Sequence, residues 1–151
     1  MNKIFKIILL FIALSGFACG SDCSIDKPKN LKPIDWEGWN DVYTVYWNTS
    51  MECSEASNNP IFGREINVNG YVHFNGIYSN GTYDIPSLRD NKYDVFIHWY
   101  DPLILNVLTE IDLTKKCYIK GKLSYSTIQT MCCNVVPEVW IENIDDIYFE
   151  K

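Results

Sequence analysis

The chain has 151 residues and a formal net charge of -6, with 47% hydrophobic and 15% aromatic residues. That content is enough to bury a core and excludes a disordered chain, and the length leaves room for one domain once a leader is removed. The acidic balance argues against nucleic acid as a partner, because phosphate binding needs a basic surface.

Lys3 and Lys6 precede an apolar run of eight residues, Ile7 to Leu14, and small residues then lead to Cys19. The run is too short to span a bilayer and fits an export signal over residues 1–18 better than a buried N-terminal helix. Ala18 before Cys19 suits both ordinary secretion and lipoprotein processing. Gly16-Phe17-Ala18-Cys19, followed by Gly20-Ser21-Asp22, resembles the processing site and export tract of bacterial surface lipoproteins of the Bacteroidetes type. The resemblance implies that Cys19 becomes the lipidated first residue of the mature protein. The rest would then be a soluble domain held in the cell envelope, at the outer membrane, because several acyl chains anchor where one does not. Lys3 and Lys6 are the only charges before Cys19, so the mature chain carries 11 basic and 19 acidic residues.

Residues 19–35 are polar and proline-bearing, with no periodicity, and read as a flexible tether. Ser24-Ile25-Asp26-Lys27 matches the S-x-x-K pattern of penicillin-recognising enzymes but lacks the companion motifs, so it reads as chance. Residues 36–60 hold Trp36, Trp39, Tyr43, Tyr46 and Trp47. The β-branched and aromatic run Val42 to Trp47 predicts an extra N-terminal strand. Its tryptophans would plug an end or flank of the main domain, or form a carbohydrate-stacking platform.

From residue 61 the chain alternates with a period of two, which puts successive side chains on opposite sheet faces. In Glu65 to Phe74 the inward set is Ile66, Val68, Gly70, Val72 and Phe74, which leaves Tyr71 and His73 outward. Asn75 to Arg89 reads as a turn-rich connection. In Tyr93 to Tyr100, Val95, Ile97 and Trp99 face in, and Phe96, His98 and Tyr100 face out. Leu103 to Leu108 reads either as a central strand, from its apolar run, or as a short helix capped by Asp101 and begun by Pro102. Cys117 to Tyr125 is a strand, and Glu138 to Phe149 is the last, with a bulge near Asn143 and Ile144. The expectation is a self-sufficient β domain over residues 65–149, within a unit spanning 61–151.

Ile119-Lys120-Gly121-Lys122-Leu123, followed by Val139-Trp140-Ile141-Glu142-Asn143-Ile144-Asp145-Asp146-Ile147, resembles the closing strands of OB-like domains of bacterial lipoproteins. The resemblance implies an all-β fold, a small five-stranded Greek-key barrel, and a binding module rather than a catalyst. OB-folds bind along their second and third strands, so Tyr71, His73, Phe96, His98 and Tyr100 form the candidate ligand face. Rings with polar tips suit a glycan, a planar ligand or a protein partner. Lys115, Lys116, Lys120 and Lys122 read as a solvated strand face, since residues 61–151 hold 8 basic and 12 acidic residues. A single-stranded nucleic-acid-binding domain is one alternative.

In an exported protein the cysteines should pair. Cys117 opens a strand whose end leads to Cys132 and Cys133, so a disulfide from Cys117 to one of them is the candidate. The spacing of Cys117, Cys132 and Cys133 with His73 or His98 matches no zinc pattern, so no metal and no cofactor are expected. No G-x-S-x-G, H-E-x-x-H or P-loop motif is present, so no enzymatic activity is expected. The other alternative is a small carboxylate-based hydrolase acting on glycans.

Overall fold

Apolar alternation builds the sheet of this protein. In the computed structural model, which describes residue 25 and residues 27–75, 85–129 and 133–151, seven strands form one mixed sheet among the described residues. They are β1 Asn40–Asp41, β2 Glu65–Asn75, β3 Ile85–Asp90, β4 Tyr93–Trp99, β5 Lys116–Gln129, β6 Cys133–Ile141 and β7 Ile147–Phe149. The export signal, residues 19–24 and 26 of the tether (Cys19 and Cys23 among them) and Cys132 lie outside the described residues, whereas Ile34 at the end of the tether packs against the core. No helix among the described residues is long and apolar enough to cross a membrane.

The inward residues Ile66, Val68, Val72, Val95, Ile97, Ile119 and Leu123 are all buried in one core. β2 is antiparallel to β3 on one edge and to β5 on the other. β3 is antiparallel to β4, β4 runs parallel to β6, and β6 is antiparallel to β5. The path β2–β3–β4–β6–β5 therefore returns to β2. β5 pairs with β2, β6 and β7, and Lys122 is the residue where it passes from β2 to β6. Gly121, beside it, is a glycine because the β6 backbone crowds that position: a β-carbon would overlap the Trp140 carbonyl oxygen and lie 2.8 Å from Val139 Cγ2.

Three segments depart from the sequence reading. Val42–Thr49 is a helix, α1, and not a strand. Asp41 caps it by accepting the Thr44 N–H at 2.6 Å, and Val42, Val45 and Thr49 fall on one buried face. That stripe and the cap override the β propensity of the run. Ile85–Asp90 is a strand and not part of a connection. It is short and contains Pro86, yet it is held on both edges, by β2 and by β4. The predicted strand from Glu138 to Phe149 is two strands, β6 and β7, separated by a 3-10 turn at Ile144–Asp146.

The ambiguous stretch is helical: α3 spans Pro102–Thr109, with Asp101 accepting the Leu103 N–H at 2.9 Å. Ile104 and Leu108, one turn apart, are fully buried in the core. Val42 and Val45 of α1 join the same core, so the inner face of α1 is part of the domain's interior.

The disulfide also differs. Cys53, in the short helix α2 (Cys53–Ala56), is bonded to Cys133, and Cys117 is a free, buried thiol. Cys117 points into the core near the start of β5, opposite Gly70 and Phe149, whereas Cys133 pairs with Gln129 at the far end of that strand, so the length of β5 separates the two cysteines. The Val135 N–H donates to the Met51 carbonyl at 3.3 Å, and Glu52 bridges Asn134. Cys53–Cys133 continues that antiparallel register by one step.

Candidate functional site

Strand pairing lines up one outward row across five strands: His73, Ser87, Phe96, Glu138 and Ser124. Partners in register project from the same face. A second row pairs His98 with Trp140 and Trp140 with Lys122. The chemistry of this face gathers around Glu138.

Glu138 is only 3% exposed. Its Oε1 accepts from the Ser126 hydroxyl and lies 3.1 Å from His98 Nε2. Its Oε2 accepts from the Trp140 indole N–H at 3.3 Å. The His98 ring stacks on Trp140 with centroids 5.0 Å apart and planes 15° apart, and Tyr100 lies 5.1 Å from the same indole. Beside this group a cleft of 340 Å³ opens, with Ile85, Phe96, Ile128 and Val136 as apolar walls and His98, Ser126 and Glu138 as polar lining.

Ser126 and His98 both contact the same carboxylate oxygen. They do not form a nucleophile–base–acid relay, in which the imidazole would stand between hydroxyl and carboxylate. Burial alone would raise the Glu138 pKa. Hydrogen bonds from His98 and Ser126, the imidazole's charge and the bond from Trp140 outweigh it and hold the carboxyl below its ordinary 4.5.

A lowered folded-state pKa gives stability that is complete above the unfolded value and is lost as pH falls through the folded one. Thermal unfolding followed from neutral pH to about pH 3 should therefore show an acid-side loss that Glu138→Gln flattens, since glutamine does not titrate. An unchanged slope in the variant would assign the acid loss to other carboxylates.

Of the five aromatic and imidazole side chains expected on the ligand face, the structure brings Phe96, His98 and Tyr100 together. Tyr71 and His73 stand two strands away. Arg89 fills the space between, with Nε and Nη2 each 2.9 Å from the Asp94 carboxylate and Nη1 2.8 Å from His73 Nε2. Ser87 donates to Asp94 at 2.7 Å. Tyr71 and His73 border a separate hollow with Leu113.

Ring contacts place the tryptophans elsewhere. Trp36 lies under the Arg64 guanidinium, Trp39 meets Tyr118 and Tyr148, and Trp47 meets Tyr43, Tyr46 and Tyr93. None of these ring contacts involves Phe96, His98 or Tyr100.

Sequence reasoning missed Glu138, Trp140, Ser126 and Ile128. The alternation in Pro137-Glu138-Val139-Trp140 is the signal that places Glu138 and Trp140 outward. Nothing local predicts that three donors converge on one carboxylate. Among the described residues no group of three or more His, Cys, Asp or Glu side chains could hold a metal ion. Comparison with protein-family models finds no match, and comparison with curated proteins finds none either.

Proposed function

We propose that this chain is a non-catalytic binding module, anchored through a lipid at Cys19 in a bacterial cell envelope and built on an OB-like Greek-key barrel. The barrel reading is supported by the circuit β2–β3–β4–β6–β5–β2, its one parallel pair β4–β6, and the helix α3 between β4 and β5. The Cys19 anchor rests on the sequence pattern. The observation that carries the binding function is the cleft beside the Tyr100–Trp140–His98 stack. Its apolar walls and few fixed polar groups are the usual make-up of a small-ligand site. Its occupant is a small ligand, or the ring of a glycan or of a protein partner's side chain. A two-carboxylate hydrolase needs a second acid facing the first, and Glu138 is the one carboxylate among the described cleft-lining residues.

The test is a fragment screen by NMR on the mature chain, with a parallel Cys19→Ala variant in cells. Binders should shift the amides of Phe96, His98, Ser126 and Ile128, and Phe96→Ala should weaken them about tenfold. Cys19→Ala should leave the membrane fraction. Hits that all map elsewhere would sink the binding reading, and a variant that still sediments with membranes in high salt would sink the anchor.

A further inference from the structure

Among the described residues lining the cleft, the one carboxylate is Glu138, and no lysine or arginine stands beside it. Glu138 lies at the cleft, almost wholly removed from solvent, in a chain of net charge -6. A carboxylate offers about four lone-pair sites. Oε1 is engaged by Ser126 and His98, whereas Oε2 has, among the described residues, only the long bond from Trp140 at 3.3 Å. One acceptor site on Oε2 is therefore left to a further donor. Phe96 stands at the cleft wall and the Trp140–His98 stack beside it. Aromatic faces next to a carboxylate attract organic cations.

Resting on the binding reading above, we propose that the cleft recognises a small organic ammonium carried on an apolar body. The ammonium donates to Glu138 Oε2, and the body lies against Ile85, Phe96, Ile128 and Val136. His98 completes the site from the rim, where its side chain is 36% exposed. It donates to Oε1 and holds the carboxylate so that Oε2 stays directed to the ligand. An anionic ligand would meet an ionised carboxylate without a lysine or arginine in the described cleft lining to offset it. A neutral ligand of the same shape would gain the walls but not the charge.

The experiment uses three probes of matched shape: 2-phenylethylammonium, 2-phenylethanol and phenylacetate. Each is titrated into the mature protein at neutral pH and read from the amide shifts of Phe96, His98, Ser126 and Ile128. The ammonium should bind about tenfold more tightly than the alcohol, about what one charge-assisted hydrogen bond supplies, and phenylacetate should not bind. Glu138→Gln should remove the preference and bring the ammonium to about the level of the alcohol in the same variant. The wild-type comparison stands without the variant if Glu138→Gln does not fold. Equal binding of ammonium and alcohol would overturn the cation proposal and leave the cleft as a binding site. Failure of all three to shift these amides would overturn the proposal for this ligand class, while the fragment screen judges the cleft separately. Tighter binding of a capped lysine-bearing peptide than of the free amine would replace the small ligand with a protein partner and overturn the assignment.

Discussion

A chain that begins at Asn59 should fail to unfold cooperatively. Removing residues before that point takes away Val42 and Val45, both at 0% exposure in the main core. Full burial of such side chains contributes about 1.5–3 kcal/mol each. Ile34 and Trp36, packed against the same core, go with them, as does Cys53 and its bond to Cys133. The combined loss is comparable with the whole stability of an ordinary domain, about 5–15 kcal/mol. Urea titration followed by near-ultraviolet circular dichroism and by dye binding reads this directly. The shortened chain should give a broad, sloping curve and expose apolar surface. A sharp transition close to that of the full chain would mean that α1 only decorates the domain. Val45→Ala is the finer probe of the same contact, and should cost about 2 kcal/mol without abolishing the transition.

The sequence reading placed α1 outside the core because it scored the residues singly. Val42, Tyr43, Thr44, Val45, Tyr46 and Trp47 each favour a strand. The spacing of Val42, Val45 and Thr49 is helical, and Asp41 stands where a cap should stand. The β-branched and aromatic composition of the run masks both signals. Leu103 to Leu108 posed the same contest, and there the Asp101-Pro102 start settled it for the helix. By contrast, the alternation in Glu65 to Phe74 and Tyr93 to Trp99 carried its message in full. Ile66, Val68, Val72, Val95 and Ile97 are the buried set. A half-buried strand writes its orientation into every second residue. β3 could not be read that way. Ile-Pro-Ser-Leu-Arg-Asp has no clear alternation, and its place depends on neighbours distant in sequence.

The site was legible to the same degree. Parity placed Phe96 and His98 on the outward face, but it could not say what would stand beside them. Trp140 and Glu138 arrive from a strand some forty residues on, through a parallel pairing that no local pattern encodes. Nor could parity separate Tyr71 and His73 from the others. The Arg89–Asp94 pair that divides the face sits on β3 and the start of β4, within and beside the segment read as a connection.

Breaking the Cys53–Cys133 bond should be the most destabilising change available to a single side chain outside the core. The two cysteines are 80 residues apart. In the chain-entropy account, a crosslink of that span stabilises by about 4.5 kcal/mol, acting on the unfolded ensemble rather than through contacts. The bond also fastens α2 to the start of β6, where Met51, Ala56 and Val135 form a second small core with Phe62 and Tyr125 against it. Cys53→Ala should thus lower the urea midpoint sharply. Reduced wild-type protein should match the variant, because both lose the same link. Cys117 gives an internal control. Burial pushes its thiol up to about 12, and it takes part in no disulfide. In the native oxidised protein it should resist alkylation until denaturant is added, and then react in full. Peptide mapping without reduction should recover the Cys53 and Cys133 peptides joined and the Cys117 peptide single. If reduction leaves the midpoint unchanged, or if Cys117 is recovered in a crosslink, the pairing and its contribution to stability are both wrong.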